Sequence, residues 1–162
     1  MVKANFFKAF AAGVILYRVI KYIGQQKRLV EEFGYTLKQF TLSKVDLNAL
    51  EFNIILGIDN KSAGSIKIGK IDLDVILGGI DLGRIKQGIP IKIDPYTMGE
   101  AKFRLRVPLK DLGAKAQDLL KLVYRTKNLS VELNGEFEVE TFPNTFKTVP
   151  VNFKSTVKEI LL

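Results

Sequence analysis

The stretch that decides the fold is residues 71–82, IDLDVILGGIDL. Apolar residues occupy odd positions up to Leu77 and even positions from Ile80 onward. Alternation with a period of two predicts β-strands that bury one face. A two-residue turn at Gly78-Gly79 would place Leu77 opposite Ile80 on the same face, so this stretch predicts a β-hairpin.

The dipeptide Asn134-Gly135 gives a different result, although Asn-Gly is a common turn sequence. In LSVELNGEFEVE, residues 129–140, the apolar phase continues from Leu133 through Gly135 to Phe137. Because the phase does not change, the pattern predicts one long strand with a glycine inside it, at a bulge.

The same alternation recurs over most of the chain after Tyr35, with turn residues between the segments. It predicts a mainly β protein with an immunoglobulin- or fibronectin III-like sandwich. Residues 109–124, LKDLGAKAQDLLKLVY, have helical spacing and predict one crossover helix that caps one end of the sandwich.

The composition excludes several classes of chemistry. The 162 residues contain no Cys and no His, so thiolate nucleophiles, disulfides and histidine-based catalysis or metal binding are excluded. We therefore expect no enzyme activity, no cofactor and no small-molecule substrate.

Most of the net charge of +8 belongs to the N-terminal segment. Residues 1–45 carry eight Lys/Arg and two Glu, whereas residues 46–162 carry seventeen Lys/Arg and fifteen Asp/Glu. A basic appendage on a nearly neutral body indicates an anionic partner, either a membrane surface or an acidic protein face. A nucleic-acid-binding domain would carry its charge on the folded body, so nucleic acid is not expected.

Residues 5–23, NFFKAFAAGVILYRVIKYI, predict a basic, apolar helix that ends at Gly34 and precedes a sandwich domain of residues 35–162. Its uncharged run, residues 9–17, is shorter than a bilayer span, and no small-residue cleavage site follows it. The helix therefore either lies on or marginally spans a membrane, or packs on protein. The residues expected to make this contact are Phe6, Phe7, Lys8, Phe10, Leu16, Arg18, Val19, Ile20, Lys21 and Ile23.

Two rows of charged residues on the predicted strands are candidates for a catalytic site. The acidic row is Glu132, Glu136, Glu138 and Glu140, and the basic row is Lys102, Arg104 and Arg106. Both rows face outward by alternation, so cross-strand ion pairing between them is expected rather than catalysis. Asp72 and Asp74 are isolated in sequence, which gives no metal site, and Gly78, Gly79 and Gly83 lack the helix and lysine of a phosphate loop.

The order of segments resembles the LEA14-like or WHy domain of late embryogenesis abundant proteins, group 2. The resemblance covers roughly residues 36–157 and is carried by FNIILGIDNKSA, SIKIGKIDLDVILGGIDLG and LSVELNGEFEVE. It implies a non-catalytic module associated with desiccation and stress protection. The family's Asn-Pro-Asn turn corresponds here to Asp59, Asn60 and Lys61, without the proline.

Two functions follow from these observations. The first is a binding or protective domain attached to a membrane or a partner through its N-terminal helix. The second is a structural subunit of a large assembly, such as a phage virion or envelope complex, whose N-terminal helix inserts into neighbouring proteins. Both place the protein at a membrane or within an assembly. The apolar terminus, residues 157–162, is expected to dock either in the core of its own domain or in a partner.

Overall fold

The computed structural model describes residues 33–88, 90–125, 128–142 and 145–157. Residues 1–32, which hold most of the predicted N-terminal helix, and residues 158–162 of the apolar terminus lie outside the described residues. Within the described ranges the chain is mainly β, and the elements follow the order β1 (Phe33–Val45), β2 (Ala49–Asn60), β3 (Ile66–Leu77), β4 (Ile80–Gln87), β5 (Ile91–Ile93), β6 (Met98–Pro108), α1 (Leu109–Leu112), α2 (Lys115–Arg125), β7 (Leu129–Phe142) and β8 (Thr145–Val157).

The strands form two antiparallel sheets. The smaller sheet has the order β1-β2-β6, and the larger has the order β4-β3-β7-β8, with β5 beside β4 along the same edge of β3. The chain crosses from the smaller to the larger sheet between β6 and β7, and the two helices form this crossover.

One hydrophobic core joins the sheets, because alternate side chains of both point inward. The buried residues include Phe52 and Ile54 of β2, Leu73 of β3 and Leu133 of β7. The ring of Tyr35 meets the ring of Phe137 edge-on, with centroids 5.5 Å apart, and so connects the first strand to the opposite sheet.

The predicted turn at Gly78-Gly79 and the predicted place of Gly135 inside one long strand are both confirmed. Leu77 pairs with Ile80 across the Gly78-Gly79 hairpin. Asn134 and Gly135 lie within continuous β7, and Gly135 pairs with Leu73 without a shift of register, so the predicted bulge is absent at this position. A Cβ atom on Gly135 would overlap the carbonyl oxygen of Asp72, so close backbone approach requires the glycine.

Two sequence boundaries were wrong. Phe33 and Gly34 belong to β1 and pair with Asn60 and Asp59, so Gly34 is not a helix stop. The crossover is two helices, because Gly113 has a φ of 54° and ends α1 before α2 begins.

The sandwich has two ends, the Asn60 end and the helix end. The Asn60 end contains the start of β1, the β2–β3 turn and the loop between β5 and β6. The helix end contains the β1–β2 turn, the Gly78-Gly79 hairpin and the crossover helices. The N-terminal segment therefore joins the domain at the Asn60 end.

Candidate functional site

Of the site residues expected from the sequence, only the turn residues Asp59, Asn60 and Lys61 are described. The ten residues of the N-terminal helix lie outside the described residues, so their role stays a prediction. Asp59 and Lys61 are solvent-accessible, and their charged atoms are 4.0 Å apart. Asn60 between them is buried, with 1% of its surface exposed.

The side chain of Asn60 connects three segments of the chain. Its Nδ2 group donates to the carbonyl oxygens of Gly64 at 2.8 Å, Asp94 at 3.0 Å and Ile93 at 3.3 Å. Its Oδ1 atom accepts from the backbone N–H of Ser62 at 3.1 Å. The Asn60 side chain thus binds its own turn to a loop more than thirty residues away.

Ser62 completes this network. Its Oγ lies 2.7 Å from Oδ1 of Asn60 and 2.9 Å from the carbonyl oxygen of Gly64. The backbone N–H of Tyr96 donates to the Ser62 carbonyl at 3.3 Å, and Tyr96 has a φ of 55°. Among the described residues no buried side-chain polar atom lacks a hydrogen-bond partner, so the cluster is best understood as a link that holds the two loops together.

Most residues of the charged rows are ion-paired, but not with the opposite row as the sequence predicted. Lys102, Arg104 and Arg106 lie on β6 in the smaller sheet, whereas the glutamates lie on β7 in the larger sheet. Pairing needs neighbouring strands, so each row pairs within its own sheet. The pairs of the acidic row are Glu132 with Lys154 at 2.6 Å, Glu138 with Lys70 at 3.5 Å and Glu140 with Lys67 at 3.1 Å.

The basic row pairs within the smaller sheet in the same way. Arg106 contacts Glu51 at 3.1 Å and Asp46 at 3.7 Å. Glu100 lies 2.9 Å from Lys38 and 3.5 Å from Lys102. The hydrogen bond from Lys38 is the main cause that holds the pKa of Glu100 below its ordinary value. Glu100 is thus held ionised as a partner of two lysines, which suits a solvated sheet face better than acid–base catalysis.

Asp72 forms a charge cluster that the sequence did not reveal, because its partners come from another strand. Its side chain is buried and accepts a hydrogen bond from Nε of Arg84, and Nζ of Lys86 lies at 3.9 Å. Asp74 lies 3.6 Å from the same Arg84 nitrogen. The hydrogen bond to Asp72 raises the pKa of Arg84. Within the described ranges, no three acidic side chains are arranged to hold a metal ion.

The described surface has two shallow clefts at the helix end. One, of about 530 Å³, is lined by residues of the β1–β2 turn and of the β6–α1 junction. The other, of about 350 Å³, lies between β4 and β6, the adjacent edges of the two sheets.

Two packed antiparallel sheets, a crossover that joins them and a hydrogen-bonded asparagine turn define a β-sandwich-type domain. Residues 56–156 match the LEA_2 family, described as late embryogenesis abundant protein, and the chain belongs to this family. Members of the family are generally non-enzymatic. A comparison with curated proteins gave no match.

Solved structures show the same fold at low sequence identity. A solution structure of a protein from Arabidopsis thaliana is 21% identical, with a TM-score of 0.56, and covers 79% of this chain and 82% of that one. A crystal structure of a protein from Archaeoglobus fulgidus is 13% identical, with a TM-score of 0.50, and covers 78% of this chain and all of that one. In the part of the chain that the structure describes, no helix is long and apolar enough to cross a membrane.

Proposed function

We propose that this protein is a non-enzymatic domain of the LEA14 or WHy type, with an immunoglobulin-like sandwich, that is held at a membrane by its N-terminal helix. The observation that carries the proposal is the contrast between the two parts of the chain. The sheet faces pair most of their cations with carboxylates, whereas residues 1–32, before the first strand, hold six basic residues and two acidic ones around an apolar run. Basic residues beside apolar ones are typical of segments that bind anionic membranes.

The body supports a binding or protective role rather than catalysis. Its polar turn at Asn60 is internally hydrogen-bonded, and its charged rows are paired in place. A rigid, inert domain of this kind can hold or shield a partner once the N-terminal helix has concentrated it at a surface. Protection under stress is what membership of the family leads us to expect.

Vesicle flotation tests the attachment. We expect the full chain to float with vesicles of phosphatidylcholine and phosphatidylserine, and a protein lacking residues 1–30 to float much less. This deletion leaves β1 intact, since the strand begins at Phe33. Equal flotation of the two proteins would overturn the proposal.

Charge-reversal variants of the full chain provide the matched control. The double substitution K8E/R18E is expected to reduce flotation. The double substitution K61E/K92E makes the same change in net charge at an exposed turn position and an exposed position of β5, and it is expected to leave flotation unchanged. If the full chain instead forms stoichiometric assemblies and binds no vesicles, this result would support the alternative function, a structural subunit of a large assembly.

A further inference from the structure

Leu47 projects from the helix end of the domain. It lies at the tip of the β1–β2 turn with 96% of its surface exposed, and Val45 beside it is 48% exposed. The turn is fixed, because the Asp46 carboxylate accepts hydrogen bonds from the backbone N–H groups of Asn48 at 2.8 Å and Ala49 at 2.7 Å. An apolar side chain is thus held out into water by a rigid turn.

Two basic residues lie beside this apolar tip. Leu47 shares the larger cleft with Arg106, Leu109 and Lys110. The backbone N–H of Leu109 donates to the carbonyl oxygen of Asn48 at 2.8 Å, which joins the turn to the start of the crossover. The tip and the first helix therefore form one surface.

The crossover helices add positive charge that the domain does not neutralise. They carry four basic residues and two acidic ones, and none of the four makes an ion pair with another described residue. The basic residues are Lys110, Lys115, Lys121 and Arg125, and the exposed ring of Tyr124 lies beside the last of them. The sheet faces differ, because most of their cations are paired.

We infer that the helix end is a second lipid-contact surface, at which Leu47 enters an anionic membrane and the basic residues of α1 and α2 contact its headgroups. A protruding apolar side chain on the same end of the domain as unpaired basic residues matches a bilayer interface, where apolar and anionic layers adjoin. Nucleic acid would use the cations but gives no role to a fully exposed leucine at the tip.

The position of this surface has a geometric consequence. The N-terminal segment joins the domain at Phe33, which pairs with Asn60 at the opposite end. The thirteen residues of β1 separate the two ends by roughly 40 Å at about 3.3 Å per residue. If the N-terminal helix also binds lipid, as the proposed function states, one molecule contacts two membranes and clusters vesicles.

The experiment measures flotation and vesicle size, by light scattering, for the full chain with phosphatidylcholine–phosphatidylserine vesicles. We expect the wild-type chain to cluster them, and L47N/K110E to float but to cluster at least fivefold less. The control L47M/K61E keeps an apolar tip and reverses a lysine at the other end, and it is expected to cluster like wild type. Vesicles of phosphatidylcholine alone should not cluster.

The outcomes separate this inference from the proposed function. Clustering by L47N/K110E at the wild-type level would overturn the inference. In another outcome, wild type floats without clustering vesicles, and L47N/K110E abolishes this flotation. That outcome would support the second surface and overturn attachment through the N-terminal helix. The assignment to lipid would be overturned if wild type bound a short DNA duplex more tightly than it binds the vesicles, and if L47N had no effect on DNA binding.

Discussion

The ring of Phe146 on β8 lies over Gly69 on β3, across the intervening strand β7. A Cβ atom on Gly69 would lie 2.5 Å from Cε1 and 2.9 Å from Cδ1 of that ring. The register of β3 against β7 shifts between Ile68 and Lys70, at this glycine. The aromatic ring therefore covers a position on the outer sheet face that has no side chain of its own.

Gly69→Ala tests this contact. In the wild-type background we expect the free energy of unfolding to fall by about 1 kcal/mol, because the ring must move aside. In a Phe146→Ala background the same substitution should be neutral or stabilising by about 0.5 kcal/mol, since alanine loses less entropy than glycine in a strand. Urea unfolding of the four proteins measures the difference, and an equal effect in both backgrounds would contradict the contact.

Asn60→Ala should cost about 2–4 kcal/mol of stability. The substitution removes the donor shared by the carbonyl groups of Gly64, Ile93 and Asp94, and the hydrogen bond to Ile93 lies in a buried place. Chemical denaturation checks the value, and the neighbouring Lys61→Ala is the control, expected to change stability by less than about 0.5 kcal/mol. Similar losses for the two variants would show that the asparagine does not hold the loops together.

Gly135→Ala should be among the most damaging single changes in the sheet. The new methyl group would overlap the backbone of Asp72 and Leu73, and backbone atoms of a central strand cannot move aside cheaply. We expect a loss of about 3 kcal/mol or more, or failure to fold. Gly88→Ala is the matched control, because a Cβ there meets no atom within 4 Å. A well-folded Gly135→Ala protein of wild-type thermal midpoint would refute the close approach.

The Asp46 turn should weaken in acid. Hydrogen bonds from the backbone of Asn48 and Ala49, and then the charges of Arg106 and Lys44, hold the pKa of Asp46 below its ordinary value. A folded-state pKa below the unfolded one contributes stability above about pH 4 that is lost as the pH falls through the folded value. The thermal midpoints of wild type and Asp46→Asn should therefore converge below about pH 4.

Asp111→Asn is the control for that titration, since it removes one exposed negative charge of α1 without touching the turn. A gap between wild type and Asp46→Asn that stays constant from neutral to acid pH would contradict the assignment.

The local parts of the fold were predictable, and the non-local parts were not. Side-chain phase is a property of adjacent residues, so it distinguished the Gly78-Gly79 hairpin from the glycine inside β7. The break at Gly113 was missed because apolar spacing continues through it from Leu112 to Leu119. The partners of Arg106 and Glu132 depended on which strands share a sheet, and alternation within one strand carries no such information.

The candidate site divides in the same way. Asn60 was recognised as a turn residue from its neighbours, but its burial depends on Ile93 and Asp94, which only the folded chain brings near. The Asp72–Arg84 pair was invisible for the same reason. The exposure of Leu47 was not predicted, because a single apolar residue between two polar ones is an ordinary feature of a turn sequence.

The direct start of β1 at Phe33 also has a mechanical consequence. A pull transmitted through residue 32 acts along the axis of β1, from the Asn60 end. When the body is held at the helix end, the hydrogen bonds between β1 and β2 are loaded together in shear, over a register that runs from Phe33 to Val45. A domain suspended between two surfaces would thus resist extension through a whole strand pair rather than through one bond at a time.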